Sequence, residues 1–533
     1  AQHQEGENLT KHDRTIMLKK IRVTISVLLF SLITLYFLDF SGFLPESFSV
    51  LTDIQFIPAL LALNIIILIA LVALTVIFGR VYCSSICPMG IYQDIVAWFS
   101  KKILKKKKRY TYSKAKIVLR WSVLGATIIA FLFGFTFLVG LLDPYGAYGR
   151  LVTHIFRPAY LAGNNFLEAI FSSFNNYSFY KVGIYSLGVS SIIIALITLL
   201  VIGFLAWKNG RTYCNTICPV GTTLGFLSRF SLFKIQFIDD KCNMCGLCSM
   251  KCKASCIDAK NKVIDHNRCV TCFNCIEVCH RDAMKYALIG SKKKKAVETA
   301  PAFSYIREDK PKDESKRRFL SATLITSIAA GQLLAQTVTE PLLPKRELKR
   351  KTPIAPPGAL NFDHFREKCI SCHLCVSKCP SHVIKPAFLE YGLGGVMQPK
   401  LYFDHGFCNY DCTVCCDVCP TDALVKLSQE EKHHTQMGRV NFIIENCIVY
   451  YDETSCGACS EHCPTQAVRM VPYKGALTIP EIEPEICVGC GGCEYVCPAI
   501  PYKAIYVEGL TAHNTIEIKQ EEVEEVTIDE FGF

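Results

Sequence analysis

No general acid–base or nucleophile constellation appears in the 533 residues, so substrate chemistry is expected on a partner protein. A nucleic-acid patch is missing too. The net charge is +11, but the basic residues stand beside apolar segments: Lys19, Lys20 and Arg22, then Lys101 to Arg109, then Lys292 to Lys295. That is the pattern of membrane loops with the positive side inside, and it leaves nucleic acid out as a partner. Nor is there a disulfide framework, which belongs to small secreted domains and needs no fixed short spacing. What the chain has instead is thirty cysteines, most of them in six tight sets of four. Cysteines spaced in this way point to metal.

Long apolar runs crowd the first 210 residues. A hydrocarbon core of ~30 Å needs roughly 20 apolar residues, and four runs qualify, near 21–40, 57–79, 117–142 and 183–207. Lys11, Arg14, Lys19 and Lys20 precede the first run, and Lys105 to Arg109 follow the second. The loop after the first has Glu46 and Asp53 and no Lys or Arg. The N-terminus, the 80–116 loop and the chain after 207 are therefore expected in the cytoplasm of a bacterial inner-membrane protein.

The runs carry an internal repeat. The second ends in Gly79-Arg80-Val81-Tyr82-Cys83-Ser84-Ser85-Ile86-Cys87-Pro88-Met89-Gly90, and the fourth in Gly210-Arg211-Thr212-Tyr213-Cys214-Asn215-Thr216-Ile217-Cys218-Pro219-Val220-Gly221. Cys83, Cys87, Cys214 and Cys218 have three readings. They hold an additional metal site, they work as redox thiols, or they only shape two helix starts. The loop 143–181 contains Asp143, Pro144, Tyr145, Arg150, His154 and Arg157. Such groups at a span end bind a quinol head group and take its protons, or simply anchor the interface.

Cys242, Cys245, Cys248 and Cys252 are followed by Cys269, Cys272, Cys275 and Cys279, both as C-x2-C-x2-C-x3-C. This is the spacing of a two-cluster bacterial ferredoxin, in which the fourth cysteine of each run reaches the other cluster. Cys279 should then join Cys242, Cys245 and Cys248, and Cys252 should join Cys269, Cys272 and Cys275. Lys253 and His280 stand where proline usually follows, and Cys256 is an alternative to Cys252. Zinc sites with four cysteines use two separated C-x2-C pairs, which is not this pattern.

Residues 291–314 are a polar, basic linker. Ser315-Lys316-Arg317-Arg318-Phe319-Leu320 and the apolar run behind it, to about 340, look like an internal twin-arginine export signal and form a fifth span. Residues 341–533 hold four more sets: Cys369, Cys372, Cys375, Cys379; Cys408, Cys412, Cys415, Cys419; Cys447, Cys456, Cys459, Cys463; and Cys487, Cys490, Cys493, Cys497. Each ends in Cys-Pro. Cys416 is a spare, packed thiol. Cys369-Ile370-Ser371-Cys372-His373 matches the haem-attachment pattern, but lies inside a complete cluster motif. The acidic tail after Thr511 is a solvated surface or a docking tail.

Residues 15–280 resemble the membrane ferredoxin subunit of periplasmic nitrate reductase systems, the NapH type, in their four spans, two C-x3-CP motifs and two-cluster ferredoxin. Residues 315–510 are similar to its periplasmic partner, the NapG/MauM type, in the arginine pair, the Pro356-Pro357-Gly358-Ala359-Leu360 lead-in and four cluster motifs. The chain looks like a fusion of the two. The resemblance implies six [4Fe–4S] clusters, quinol as substrate, and a nested pairing of the last four sets, first with fourth and second with third. It implies as partners membrane lipid, the quinone pool and a periplasmic redox protein, nitrate-reductase-like or a cytochrome. The expected architecture is multidomain. A membrane bundle at 1–230 precedes an α+β ferredoxin-like module at 231–290, and a four-cluster module at 341–533 lies across the membrane. The expected activity is that of a quinol dehydrogenase or electron-transfer subunit. A factor that supplies electrons to a maturing metalloenzyme is the alternative.

Overall fold

A helix from Gln2 to Leu38 leads the chain in the computed structural model, which describes residues 2–103, 110–184, 188–289, 345–348 and 350–517. One unit comprises 1–289 and 348–533. The other, 290–347, is described only at 345–347, which form no regular element. The linker, the internal export signal with its fifth span, and the acidic tail beyond Glu517 lie outside the described residues, whereas Thr511–Thr515, expected at the start of that tail, completes a strand.

Two helices are long and apolar enough to cross a membrane, Met17–Leu38 and Val189–Asn209. Their outward faces are apolar, and so are those of Ile65–Phe78 and Ile117–Leu132. Ile66 is 82% exposed, Val118 81% and Leu200 66%. Apolar faces this exposed mark a surface for a membrane or for a partner protein.

The expected runs at 57–79 and 117–142 are not single helices. The first breaks after Phe56–Leu61, where Leu63 takes a φ of 54° and Asn64 accepts from the Ile67 N–H to start Ile65–Phe78. The second breaks at Gly134, with φ 76°, between Ile117–Leu132 and Thr136–Leu142. A left-handed residue reverses the backbone sense and ends a helix. The expected 143–181 loop is also largely helical. Pro144–Leu151 starts on an Asp143 cap at 2.6 Å from the Gly146 N–H and runs through a π turn, Val152–Phe156, into Arg157–Ser173.

Both cysteine-rich modules are built on two-stranded antiparallel sheets. In the first, Phe233–Phe237 pairs with Met284–Leu288 around the small Ile257–Asp258 and Val263–Ile264 hairpin. In the second, Ile384–Pro386 pairs with Pro399–Leu401, Val468–Pro472 with Thr478–Ile482, and Thr435–Phe442 with Ile505–Thr515.

The cysteine loops share a backbone signature. Two residues and four residues after the first cysteine, φ is positive: at Met244 and Gly246, Thr271 and Phe273, Ser371 and His373, Gly489 and Gly491. Alternating hand curls the chain into a concavity lined by N–H groups. Three residues after the fourth cysteine, φ is positive again, at Ser255, Asp282, His382, Asp422 and Gln466. The first two follow Cys252 and Cys279, so the turn forms there without the usual proline.

Candidate metal centres

The thiols of each module gather into four-membered groups. A cavity of about 180 Å³ is lined by Cys242, Cys245, Cys248 and Cys279. Cys252 lies with Cys269, Cys272 and Cys275, as the spacing predicts. In the second module one cavity is lined by Cys379, Cys408, Cys412 and Cys415, and another by Cys447, Cys456, Cys459 and Cys497. Cys419 faces Cys369, Cys372 and Cys375, and Cys463 faces Cys487, Cys490 and Cys493.

The pairing is therefore first with second and third with fourth, and the nested expectation is wrong. The cause is local. The five-residue helix Leu374–Lys378 packs on Val414–Asp417, which delivers Cys379 to the second set. Ala458–Glu461 packs likewise on Gly492–Val496 and delivers Cys463 to the fourth.

Among the described residues no three His, Cys, Asp or Glu side chains are close enough to hold a single metal ion. Four thiols grouped around one cavity fit a cubane with a cysteine at each corner. Burial pushes the Cys372 thiol up to about 12 and the Cys248 thiol up to about 11, as expected of sulfur in apolar surroundings. Cys256 stands 3.5 Å from Cys252, and the contact between the two sulfurs holds the Cys252 thiol low and the Cys256 thiol high. Cys416 is buried and donates to the Pro357 carbonyl at 3.1 Å.

The first module sits on the internal repeat. The Arg211 N–H donates to the Lys253 carbonyl at 3.0 Å, and Arg80 donates to the Asn267 carbonyl at 3.1 Å. Asp94 gathers Arg22, Arg211 and Lys253 within 3.4 Å. Burial pushes its carboxyl up, but the three cations outweigh that and hold it well below the usual carboxylate range. Sequence reasoning passed over Asp94, although it is the one acidic residue between Cys83 and Lys116.

The second module sits on the helix that begins at Pro144. Arg150 donates to the Ser371 carbonyl at 3.1 Å and to the Gly140 carbonyl at 2.9 Å. A Cβ on Gly149 would stand 2.4 Å from the Cys372 carbonyl oxygen, so only glycine admits this approach. Lys378 pairs with Asp39 at 2.7 Å. Burial lifts the nearby Asp143 carboxyl to about 6.

His373 bears on the haem pattern. Its Nε2 donates to the Met397 carbonyl at 2.9 Å, so its Nδ1 accepts from His154 Nε2 at 2.6 Å. Both ring nitrogens are engaged, and no lone pair is left for a haem iron.

One helix touches both modules. Lys19 pairs with Glu277 of the first, and Asp39, just past the helix end, with Lys378 of the second. At ~1.5 Å per residue these contacts are about 30 Å apart along the axis. Between them one apolar core runs unbroken from Cys272 through Cys83, Cys87, Cys214 and Cys218 to Tyr145 and Ile370.

Comparison with known proteins puts iron–sulfur descriptions on the two halves of the internal repeat and on the second module. A family model described as "4Fe-4S binding domain" matches residues 60–107 and 187–237. One described as "4Fe-4S dicluster domain" matches 368–423 and 454–500. The "Methylamine utilization ferredoxin-type protein MauM" of Methylobacillus flagellatus is 30% identical over 168 residues, 29% of this chain and 68% of that protein. The "Ferredoxin-type protein NapG" of Escherichia coli K12 is 28% identical over 199 residues, 36% of this chain and 84% of that protein. An uncharacterised protein of Methanocaldococcus jannaschii is 28% identical over 279 residues, 52% of this chain and 90% of its own length. No solved structure matches.

Proposed function

The chain belongs to the ferredoxin-type family of MauM, and from that premise we propose that it is a membrane protein that oxidises quinol and delivers the electrons to a periplasmic redox partner. Six [4Fe–4S] clusters would be held by the six thiol groups described above, one cubane to each. Bound there, each cluster supplies a one-electron redox centre with a potential tuned by its surroundings. The protein's own part is to hold each group of thiols in a curled, N–H-lined loop and to keep the groups in series. Cys408 and Cys490 link two of them directly, their backbones joined at 2.9 Å.

The observation that carries the reading is the single helix that meets one module at Lys19 and the other just past its C-terminal end. The stretch between the two contacts, about 30 Å, matches the thickness of a hydrocarbon core, and its outward face is apolar. On this reading the four apolar segments form the membrane part, with the first module on the cytoplasmic side, as the basic loops favour, and the second in the periplasm. The chain would then combine a NapH-type and a NapG/MauM-type protein. Quinol would bind among the spans, and we assign Asp143 as the carboxylate that takes its proton. The partner would be a nitrate-reductase-like enzyme or a cytochrome.

Addition of a reduced quinol analogue to anaerobic membranes tests the function. The expected result is bleaching of the iron–sulfur absorbance in both modules. No bleaching, together with an inactive metalloenzyme in a deletion strain, would instead support a factor that feeds electrons to a maturing enzyme.

A further inference from the structure

The outer group of the first module, Cys242, Cys245, Cys248 and Cys279, has no place on the route from quinol to the second module. The inner group takes the seat on the repeat. Arg80 bonds the Asn267 carbonyl, the Arg211 N–H bonds the Lys253 carbonyl, and a Cβ on Gly79 would stand 3.0 Å from the Thr271 hydroxyl. The outer group adjoins the inner one. Helices Leu247–Lys251 and Asn274–Glu277 pack together, which brings Cys248 up to Cys275. Electrons passing from the spans to the second module have no need of it. It is a spur, and a spur needs a second carrier.

The loop that carries this group is also uncovered. Four loops share its spacing and its two positive-φ positions, and the other three are sealed. Thr271, Phe273, Ser371 and His373 are buried. A Cβ on Gly489 would stand 2.5 Å from the Gly438 nitrogen, and one on Gly491 would stand 2.3 Å from the Phe403 ring. In the outer loop Met244 is 55% exposed, and a Cβ on Gly246 would meet nothing within 4 Å. Cys245, between them, is the one exposed cysteine of the thirty. His280 and Arg281 line the same cavity, and no carboxylate stands in its wall. Lys241 and Lys251 are exposed at the two ends of the run. Asp239, Asp240 and Asp282 lie outside the wall, the first paired with Lys262 at 3.7 Å. An apolar tip with a basic rim fits an acidic partner protein.

We propose that the 242–248 loop, with Lys251 and Arg281 beside it, is the docking site of a small acidic one-electron carrier protein of the cytoplasm, and that the chain takes electrons from this carrier as well as from quinol. The proposal rests on the reading above for the side of the membrane and for the destination of the electrons. Each encounter moves one electron. The reduced carrier is oxidised, the outer group's centre is reduced, and the electron leaves by the inner group toward the periplasmic partner. No bond is made or broken. Electron-transfer encounters bury little surface, below about 1,200 Å² in total, so that the spent carrier can leave. One loop and the turn at 280–281 offer a surface of that kind.

The test uses the full chain, purified without oxygen and held on a resin, with an acidic two-cluster ferredoxin as the probe. The reduced probe, passed over the chain without quinol and washed off, should leave the reduced iron–sulfur signal in the chain's electron paramagnetic resonance spectrum. The oxidised probe should bind, and its binding should weaken as salt rises. Lys251→Glu with Arg281→Glu should weaken that binding roughly tenfold or more, while iron content and quinol-driven reduction stay as in the wild type. If that double variant loses iron, Met244→Glu, which puts a like charge at the tip, takes its place with the same expected loss. A probe that neither binds nor reduces the chain overturns the proposal, and so does binding that the variants leave unchanged. Reduction by quinol but not by the probe would sink the carrier site and leave the proposed function standing. Reduction by the probe but not by quinol would do the reverse.

Discussion

The two ends of the first helix hold their modules by different means. At the Lys19 end the junction is ionic: one buried carboxylate, Asp94, serves Arg22, Arg211 and Lys253. At the Asp39 end it is mainly close backbone approach, with Gly149 against the Cys372 carbonyl and Arg150 on the 370–371 carbonyls. The first kind of junction survives small changes of shape but not loss of a charge. The second also holds a buried ion pair, Lys378 with Asp39, and in addition admits no added volume.

Substitutions can break this contrast in order of expected size. Asp94→Asn leaves buried Arg22 and Arg211 and the partly buried Lys253 without their anion and should cost roughly 3–5 kcal/mol. In detergent, protease sensitivity should rise in residues 231–290 and not in the second module. Gly149→Val should cost about 1–3 kcal/mol by overpacking. Here thermal unfolding should show the second module released early and the first unchanged. Asp143→Asn should slow quinol-driven reduction roughly tenfold, equivalent to about 1.4 kcal/mol of barrier. In the wild type that rate should fall as pH drops through about 6, because the carboxyl must be ionised to accept a proton. Lys19→Ala removes a largely solvated pair and should change stability by only about 0–1 kcal/mol. Cys256→Ala should leave the iron content unchanged while Cys252→Ala lowers it, and the opposite result would exchange their roles.

Much of the site was legible because cysteine spacing is a local property. The C-x2-C-x2-C runs mark a loop that curls around a cubane, and the repeat of Gly79-Arg80 and Gly210-Arg211 marks two related halves. The pairing of the last four sets was not legible, since it depends on which short helix packs on which. The seats were harder still. Lys378 meets Asp39 across 339 residues, and local pattern carries no trace of such a pair. The segment 143–181 reads as a loop because it lies between two apolar runs, but Pro144–Leu151 is a helix whose Gly149 another backbone approaches. The breaks at Leu63 and Gly134 were hidden because apolar composition continues through them.

The central claim is that the modules lie on opposite sides of a membrane. Protease sites inserted at the exposed turns Lys260-Asn261 and Lys474-Gly475 report on each module separately. In sealed spheroplasts, external protease should cut the second site and spare the first, and in inverted vesicles the pattern should reverse. Cleavage of both sites from one side, or protection of both in spheroplasts, would contradict the account.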